Sequence, residues 1–218
     1  MRLAAKTNLY LITDRRLLGD GPAAIGRVVE LAADASAAGV DLVQIRERDL
    51  DAGTLVDLAR RIRERVAGTA TRILVSDRFD IALAAGIDGV HLATHSLDAS
   101  VVRRAAGSGL LIGASTHSAA ELAAAEHGGA NFAVCGPVFD TPSKHAFGKP
   151  LGPDAVATLA AGTTIPVYAL GGVTIANAHV AAQAPIAGLA AIGMFHRAWL
   201  RGGLDGLRSL VTDLHAAI

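Results

Sequence analysis

The run RILVSDRFDIALAAGIDGVHL, residues 72–92, holds a strand, a short helix and a second strand with little between them. Arg72 to Ser76 is an apolar run of strand length. Phe79 to Ala85 is a short helical stretch closed by Gly86, and Gly89 to Leu92 is the next strand. Working outward, the alternation continues in both directions. Upstream lie Leu9-Tyr10-Leu11-Ile12, a helix over about Ala23 to Ala38 stopped by Gly39, the run Asp41 to Arg46, and a helix over about Ala52 to Val66. Downstream come a helix near Asp98 to Ala106, a strand Leu110 to Ser115, a helix near Ser118 to Glu126, and a strand Asn131 to Gly136. The longest loop, Pro137 to Gly152, follows. The series ends with a helix near Asp154 to Ala160, a strand Ile165 to Leu170, a helix Thr174 to Gln183, a strand Ala187 to Ile192 and a helix Leu204 to Ala217.

Eight strands, each followed by a helix, over 218 residues make about 27 residues per unit, the scale of a compact (β/α)8 TIM barrel. The strands are near-continuous apolar runs, as in a parallel sheet covered on both faces. An open doubly wound sheet is the alternative, but eight regular units with no lone hairpin favour closure. No linker interrupts residues 1–218, so one barrel domain is expected.

Composition narrows the function classes. Hydrophobic residues are 51% and charged residues 18%, which excludes intrinsic disorder. Aromatics are only 4%, so the core is expected to rest on Ala, Leu, Val and Ile rather than rings. Lys+Arg and Asp+Glu number 20 each and the pI is near 7.1, which gives no electrostatic basis for a nucleic-acid or anionic-membrane partner. Cys135 stands alone, excluding a disulfide framework or a cysteine-rich zinc site, and a reducing cytoplasm fits. Met1 to Tyr10 shows no apolar leader, and no window nears the ~18 unbroken apolar residues of a membrane span. The mean hydropathy of +0.40 is attributed to alanine-rich helices and buried strands.

In such a barrel the active site gathers at the C-terminal ends of the strands. Those ends read Thr13-Asp14, Gln44 to Arg48, Ser76-Asp77, Thr94-His95-Ser96, Ser115 to Ser118, Gly136, Gly171-Gly172 and Ile192-Gly193, and nearly all are polar or glycine. Gln44, Arg46 and Arg48 alternate and share one side, where two guanidiniums suit a phosphate or carboxylate. An ion pair with Glu47, Asp49 or Asp51 is the plainer reading. Asp77 either contributes to a Mg²⁺ site or only caps the helix that follows it. Thr141, Ser143 and Lys144 in the long loop place two hydroxyls and an ammonium where they could clamp a diphosphate. Gly171-Gly172 and Ile192-Gly193 follow strands seven and eight, the usual phosphate site of the fold.

His117, at the mouth, is the general acid/base candidate, and His95 is second. His91 lies within a strand and reads as a satisfied interior residue. His127, His179, His196 and His215 read as surface residues, and His145 as lining the long loop. Cys135 reads as inert packing, as do Phe195 and Trp199.

These residues, in this order, resemble the thiamine phosphate synthase/thiazole tautomerase (TenI) family. The landmarks are Leu9 to Asp14, Gln44-Ile45-Arg46-Glu47, Asp77-Arg78, Gly89-Val90-His91-Leu92, Ser115-Thr116-His117, Gly136 to Phe139 with Thr141 to Lys144, and Gly171-Gly172. The resemblance implies a TIM barrel, commonly a homodimer, in thiamin biosynthesis. Its synthase branch joins a hydroxymethylpyrimidine diphosphate to a thiazole phosphate with Mg²⁺ and releases pyrophosphate. Its tautomerase branch isomerises a thiazole carboxylate phosphate by proton transfer without that metal. Synthases usually carry Lys where Arg48 stands, Asn-Asp where Ser76-Asp77 stands, and Gly-Gln-x-Asp where Ala93-Thr94-His95-Ser96 stands. The last departure removes the second carboxylate that helps hold Mg²⁺. Ser96 and the Ile-Arg-Glu-Arg pattern look more like the tautomerase, whose acid/base histidine corresponds to His117. Ser115 falls among the substrate-binding positions. Against this, Thr141-Pro142-Ser143-Lys144 keeps the synthase-like loop, and Gly193 replaces the usual Ser after strand eight. The tautomerase is the leading expectation and the synthase the alternative. A non-catalytic binder of thiazole or thiamin phosphates is the reading from another class.

Overall fold

The computed structural model describes residues 8–141 and 149–218. Its strands are β1 (Asn8–Ile12), β2 (Leu42–Ile45), β3 (Arg72–Ser76), β4 (Gly89–Leu92), β5 (Leu111–Thr116), β6 (Phe132–Cys135), β7 (Val167–Leu170) and β8 (Gly188–Ala191). Each pairs in parallel with the next, and β8 pairs with β1 through Tyr10 opposite Ala190, so the eight strands close into a barrel. The helices are α1 (Gly21–Ala37), α2 (Ala52–Arg65), α3 (Phe79–Ala85), α4 (Ala99–Ala106), α5 (Ala119–His127), α6 (Pro153–Ala161), α7 (Ile175–Ala182) and α8 (Gly193–Ala217). The doubly wound alternative is therefore excluded.

Strand alternation produces two cores. Outward residues such as Leu9, Val43, Val75, Ile112 and Leu189 pack with Leu31, Leu58, Ile62, Phe195 and Leu207 of the helices. This shell is aliphatic, as composition suggests. The barrel interior is not. Tyr10, Phe132 and Tyr168 meet there at ring-centroid distances of 5.3–5.8 Å, edge to face, with Leu42, Leu74, Leu111 and Ala190 around them. A core without rings was expected, and the interior corrects that. A composition figure carries no positions, and three rings fill much of a small barrel. Neighbouring strands leave them room: a Cβ on Gly113 would lie 2.3 Å from Cζ of Phe132, and one on Gly188 2.7 Å from Cε1 of Tyr168.

The terminal helix also differs from expectation. It begins at Gly193 and breaks at Gly202-Gly203, where Gly203 has φ 54° and ψ −135°, a conformation suited to glycine. Only its second half, from Leu204, was legible, because the glycine pair reads as a loop. The first half carries buried Phe195, His196 and Ala198, while Trp199 Nε1 donates to Asp34 Oδ2 at 2.8 Å on α1.

Candidate active site

The ends of β1 and β2 form one rim of the mouth. Glu47 is 3% exposed; its Oε1 accepts from Thr13 Oγ1 at 2.6 Å, and both its oxygens accept from Arg15 N at 3.1 Å. Burial pushes its carboxyl above the ordinary value. Asp49 is held by Arg15 at 2.6 Å and Arg16 at 3.3 Å, and Asp51 caps α2 through Thr54 N. The acids that could have neutralised the strand-two arginines are thus committed elsewhere. Arg46 has Asp14 at 3.9 Å, beyond hydrogen-bond distance, and exposed Arg48 makes no ion pair among the described residues. Burial, then the like charge of Arg48, lower the guanidinium pKa of Arg46. An anion bound between them would relieve both penalties.

Below this rim a chain of hydrogen bonds crosses the barrel. Gln44 Nε2 donates to Ser76 Oγ at 2.7 Å, and Tyr10 Oη donates to Gln44 Oε1 at 3.0 Å. Tyr10 Oη lies 3.2 Å from His91 Nδ1, and His91 Nε2 lies 2.9 Å from Ser115 Oγ. Gln44, expected to meet substrate, is 4% exposed with its amide engaged at both ends; it supports the mouth from beneath. His91 is the satisfied interior residue expected, and burial lowers its pKa to about 4.

Asp77 and His117 occupy the β3–β5 side. Asp77 does not cap α3, whose N-cap position is Arg78 without a side-chain bond. It takes φ 62°, unusual for a non-glycine residue, and its Oδ1 accepts from Ala93 N at 3.0 Å and from Ser96 Oγ. The cap reading is therefore corrected: Asp77 braces the turn after β4. His117 follows β5, with its side chain 40% exposed. Its backbone N donates to Glu121 Oε2 at 2.6 Å, and its Nδ1 lies 3.3 Å from the same oxygen and 3.4 Å from Thr94 Oγ1. Ser118 accepts from Glu121 N at 3.2 Å, capping α5 and fixing the carboxylate that faces the imidazole. Nε2 has no partner among the described residues.

The β6–β8 side is built from backbone. Val138 N donates to Leu170 O and Phe139 N to Gly171 O, laying the start of the long loop flat on the β7–α7 turn. Gly171 and Gly172 sit at φ 100° and 66°, and a Cβ on Gly172 would lie 2.6 Å from Asp140 O. This packing by itself requires the glycines. Asn177 ties the turn to α7, accepting from Thr174 N at 2.7 Å and donating to Gly172 O at 2.9 Å. At α8 no side chain caps the first turn, which begins at Ile192-Gly193, so its amides are available to an anion. His196, expected on the surface, is 1% exposed in that turn: Nδ1 bonds Ile192 O at 2.8 Å and Nε2 accepts from Asp14 N at 3.2 Å. It fastens α8 to the end of β1.

A family model described as "Thiamine monophosphate synthase" matches residues 9–195 of this chain. The chain belongs to the thiamine monophosphate synthase family. A "Putative thiamine-phosphate synthase" of Geobacter sulfurreducens is 47% identical over 85% of this chain and 84% of its own length. The "Thiamine-phosphate synthase" of Chlorobium limicola is 38% identical over 77% of this chain and 80% of its own. The solved "Thiamine phosphate pyrophosphorylase from Pyrococcus furiosus" superposes with a TM-score of 0.80 at 28% identity, covering 96% of this chain and 98% of that one.

Mg²⁺ is the ion this family implies. Asp77 offers one carboxylate, and one of its oxygens already accepts two hydrogen bonds. No group of three or more His, Cys, Asp or Glu could hold a metal among the described residues. Mg²⁺ usually rests on one or two carboxylates with substrate phosphates, so Asp77, through its other oxygen, would be the residue to hold it beside a diphosphate substrate. Of the loop candidates, Thr141 is half-buried on the segment that follows β6, whereas Ser143, Lys144 and His145 lie outside the described residues. Cys135 is buried beside Thr116 Oγ1, as expected of packing. His127, His179 and His215 are exposed, as expected, and no helix among the described residues is long and apolar enough to cross a membrane. Sequence reasoning missed Glu47 as a latch and His196 as a clamp. Glu47 falls between two strand-end arginines, so its signal was present but weighed only as an alternative ion-pair partner.

Proposed function

We propose that this member of the family is a tautomerase that moves a proton on a thiazole carboxylate phosphate. The observation that carries the reading is the His117–Glu121 pair. Glu121 accepts Nδ1–H and leaves Nε2 as the lone pair that takes a proton from the ring and returns it at a second position. One carbon–hydrogen bond breaks, another forms, and nothing is consumed. The carboxylate stabilises the imidazolium between the two steps. Arg46 and Arg48 supply charge for the substrate carboxylate, and the open amides of α8 at Ile192-Gly193 suit its phosphate, with Gly171-Gly172 alongside.

The synthase is the second reading, favoured by the names of the relatives and by the Arg46–Arg48 pair, which would grip a pyrimidine diphosphate with Thr141, Ser143 and Lys144. A paired assay separates them. Purified protein is given the carboxylated thiazole phosphate, and separately hydroxymethylpyrimidine diphosphate with thiazole phosphate and Mg²⁺. Turnover of the first alone is expected. Thiamine phosphate and pyrophosphate from the second would overturn the tautomerase reading.

A further inference from the structure

We infer that His91 is a positioning residue: it turns Ser115 Oγ so that the hydroxyl proton points into the barrel and the oxygen lone pairs face the mouth. The argument starts from the far end of the interior chain. Ser76 takes an N–H of Gln44, so the Gln44 carbonyl oxygen faces Tyr10. The single hydroxyl proton of Tyr10 goes to that oxygen, so the 3.2 Å contact with His91 needs a proton on Nδ1. Nε2 is then bare and accepts from Ser115 Oγ at 2.9 Å. The order of donors is thereby set from β3 to β5. Burial supports it, since a second proton on this imidazole is disfavoured. Half-buried Ser115 can offer a substrate an acceptor but not a donor.

The first test needs no substrate. Nitrogen-15 spectra of the intact protein should show His91 protonated at Nδ1 and bare at Nε2. Ser115→Ala should shift the Nε2 resonance and Tyr10→Phe the Nδ1 resonance. A proton on Nε2 in the wild type overturns the inference. The second test rests on the tautomerase reading. His91→Asn keeps an N–H near the Nδ1 position and loses contact with Ser115, while His91→Gln restores an acceptor near the Nε2 position. With the carboxylated thiazole phosphate, His91→Asn should lower kcat/KM roughly tenfold, His91→Gln should recover most of it, and the His91→Asn loss should shrink to less than about threefold in a Ser115→Ala background. An undiminished loss in that background would mean that His91 acts through packing alone. Absence of all turnover in the wild type would count against the proposed function, while the spectra would still decide the role of His91.

Discussion

The two sides of the barrel mouth are made of different material. On the β3–β5 side the chain presents side chains, each with a named hydrogen-bond partner: Asp77 on Ser96, His91 on Ser115, His117 on Glu121. On the β7–β8 side it presents glycines and open amides, with side chains serving only to hold the backbone still. The first suits proton transfer, because each acid or base is held in place by a named partner. The second suits a phosphate, which is read by N–H groups and would be blocked by a Cβ.

The largest expected effect tests the side-chain half. His117→Asn should lower kcat on the carboxylated thiazole phosphate by about 10²–10⁴-fold while leaving binding of inorganic phosphate unchanged in calorimetry. Unaltered turnover would remove His117 from the chemistry. Lost phosphate binding would show that the two halves are not separable.

The next tests the backbone half against itself. Gly172 has φ 66°, and its added Cβ would meet backbone at Asp140 O and the Cβ of Phe139, 2.6 and 2.7 Å away. Gly193 has ordinary φ, and its Cβ would meet only the mobile end of Arg197 at 2.8 Å. Gly172→Ala should therefore cost roughly 2–4 kcal/mol in urea denaturation, from left-handed strain and overpacking together. Gly193→Ala should change stability by less than ~1 kcal/mol, since Ala suits a helix start and the guanidinium can swing aside. Equal costs would show that Gly172 is not held by the Phe139–Asp140 segment.

The barrel itself was readable because eight apolar runs repeat at one spacing, and the strand ends named most of the mouth. Three things were not readable. Ring placement was hidden because Gly113 and Gly188, which admit Phe132 and Tyr168, look like strand-weakening residues until register is known. The burial of His196 was hidden by the Gly202-Gly203 break, which concealed the first half of α8. The role of Asp77 was hidden because an aspartate before a helix is a good cap by local rules, while its partners Ala93 and Ser96 come from the next loop. The ring placement and the role of Asp77 are long-range contacts that local pattern does not encode, while the glycine pair is a local signal that misleads.

The smallest effect joins both halves through pH. Burial lowers the pKa of His91, to about 4, and that of His196. In the unfolded chain each titrates near 6.5. Below that pH the unfolded state binds more protons, so their contribution is complete above about 6.5 and is lost as pH falls toward the folded values. Glu47 opposes them. Its folded pKa is raised above the unfolded carboxyl value, so the native state binds more protons, and its share is greatest in acid and lost as pH rises through the folded pKa. Two histidines against one carboxyl predict that the denaturation midpoint falls modestly from pH 7 to pH 5. Glu47→Gln should steepen that fall, and His196→Asn should flatten it. A midpoint that rises toward pH 5 would mean that Glu47 dominates. His196 also ties the β7–β8 half to pH. A proton on Nε2 would set N–H against the N–H of Asp14, now 3.2 Å away as a donor, and so free α8 from β1. Inorganic phosphate binding should therefore weaken on acidification in the wild type, and less so in His196→Asn. An unchanged pH dependence in that variant would place the acid-sensitive joint elsewhere.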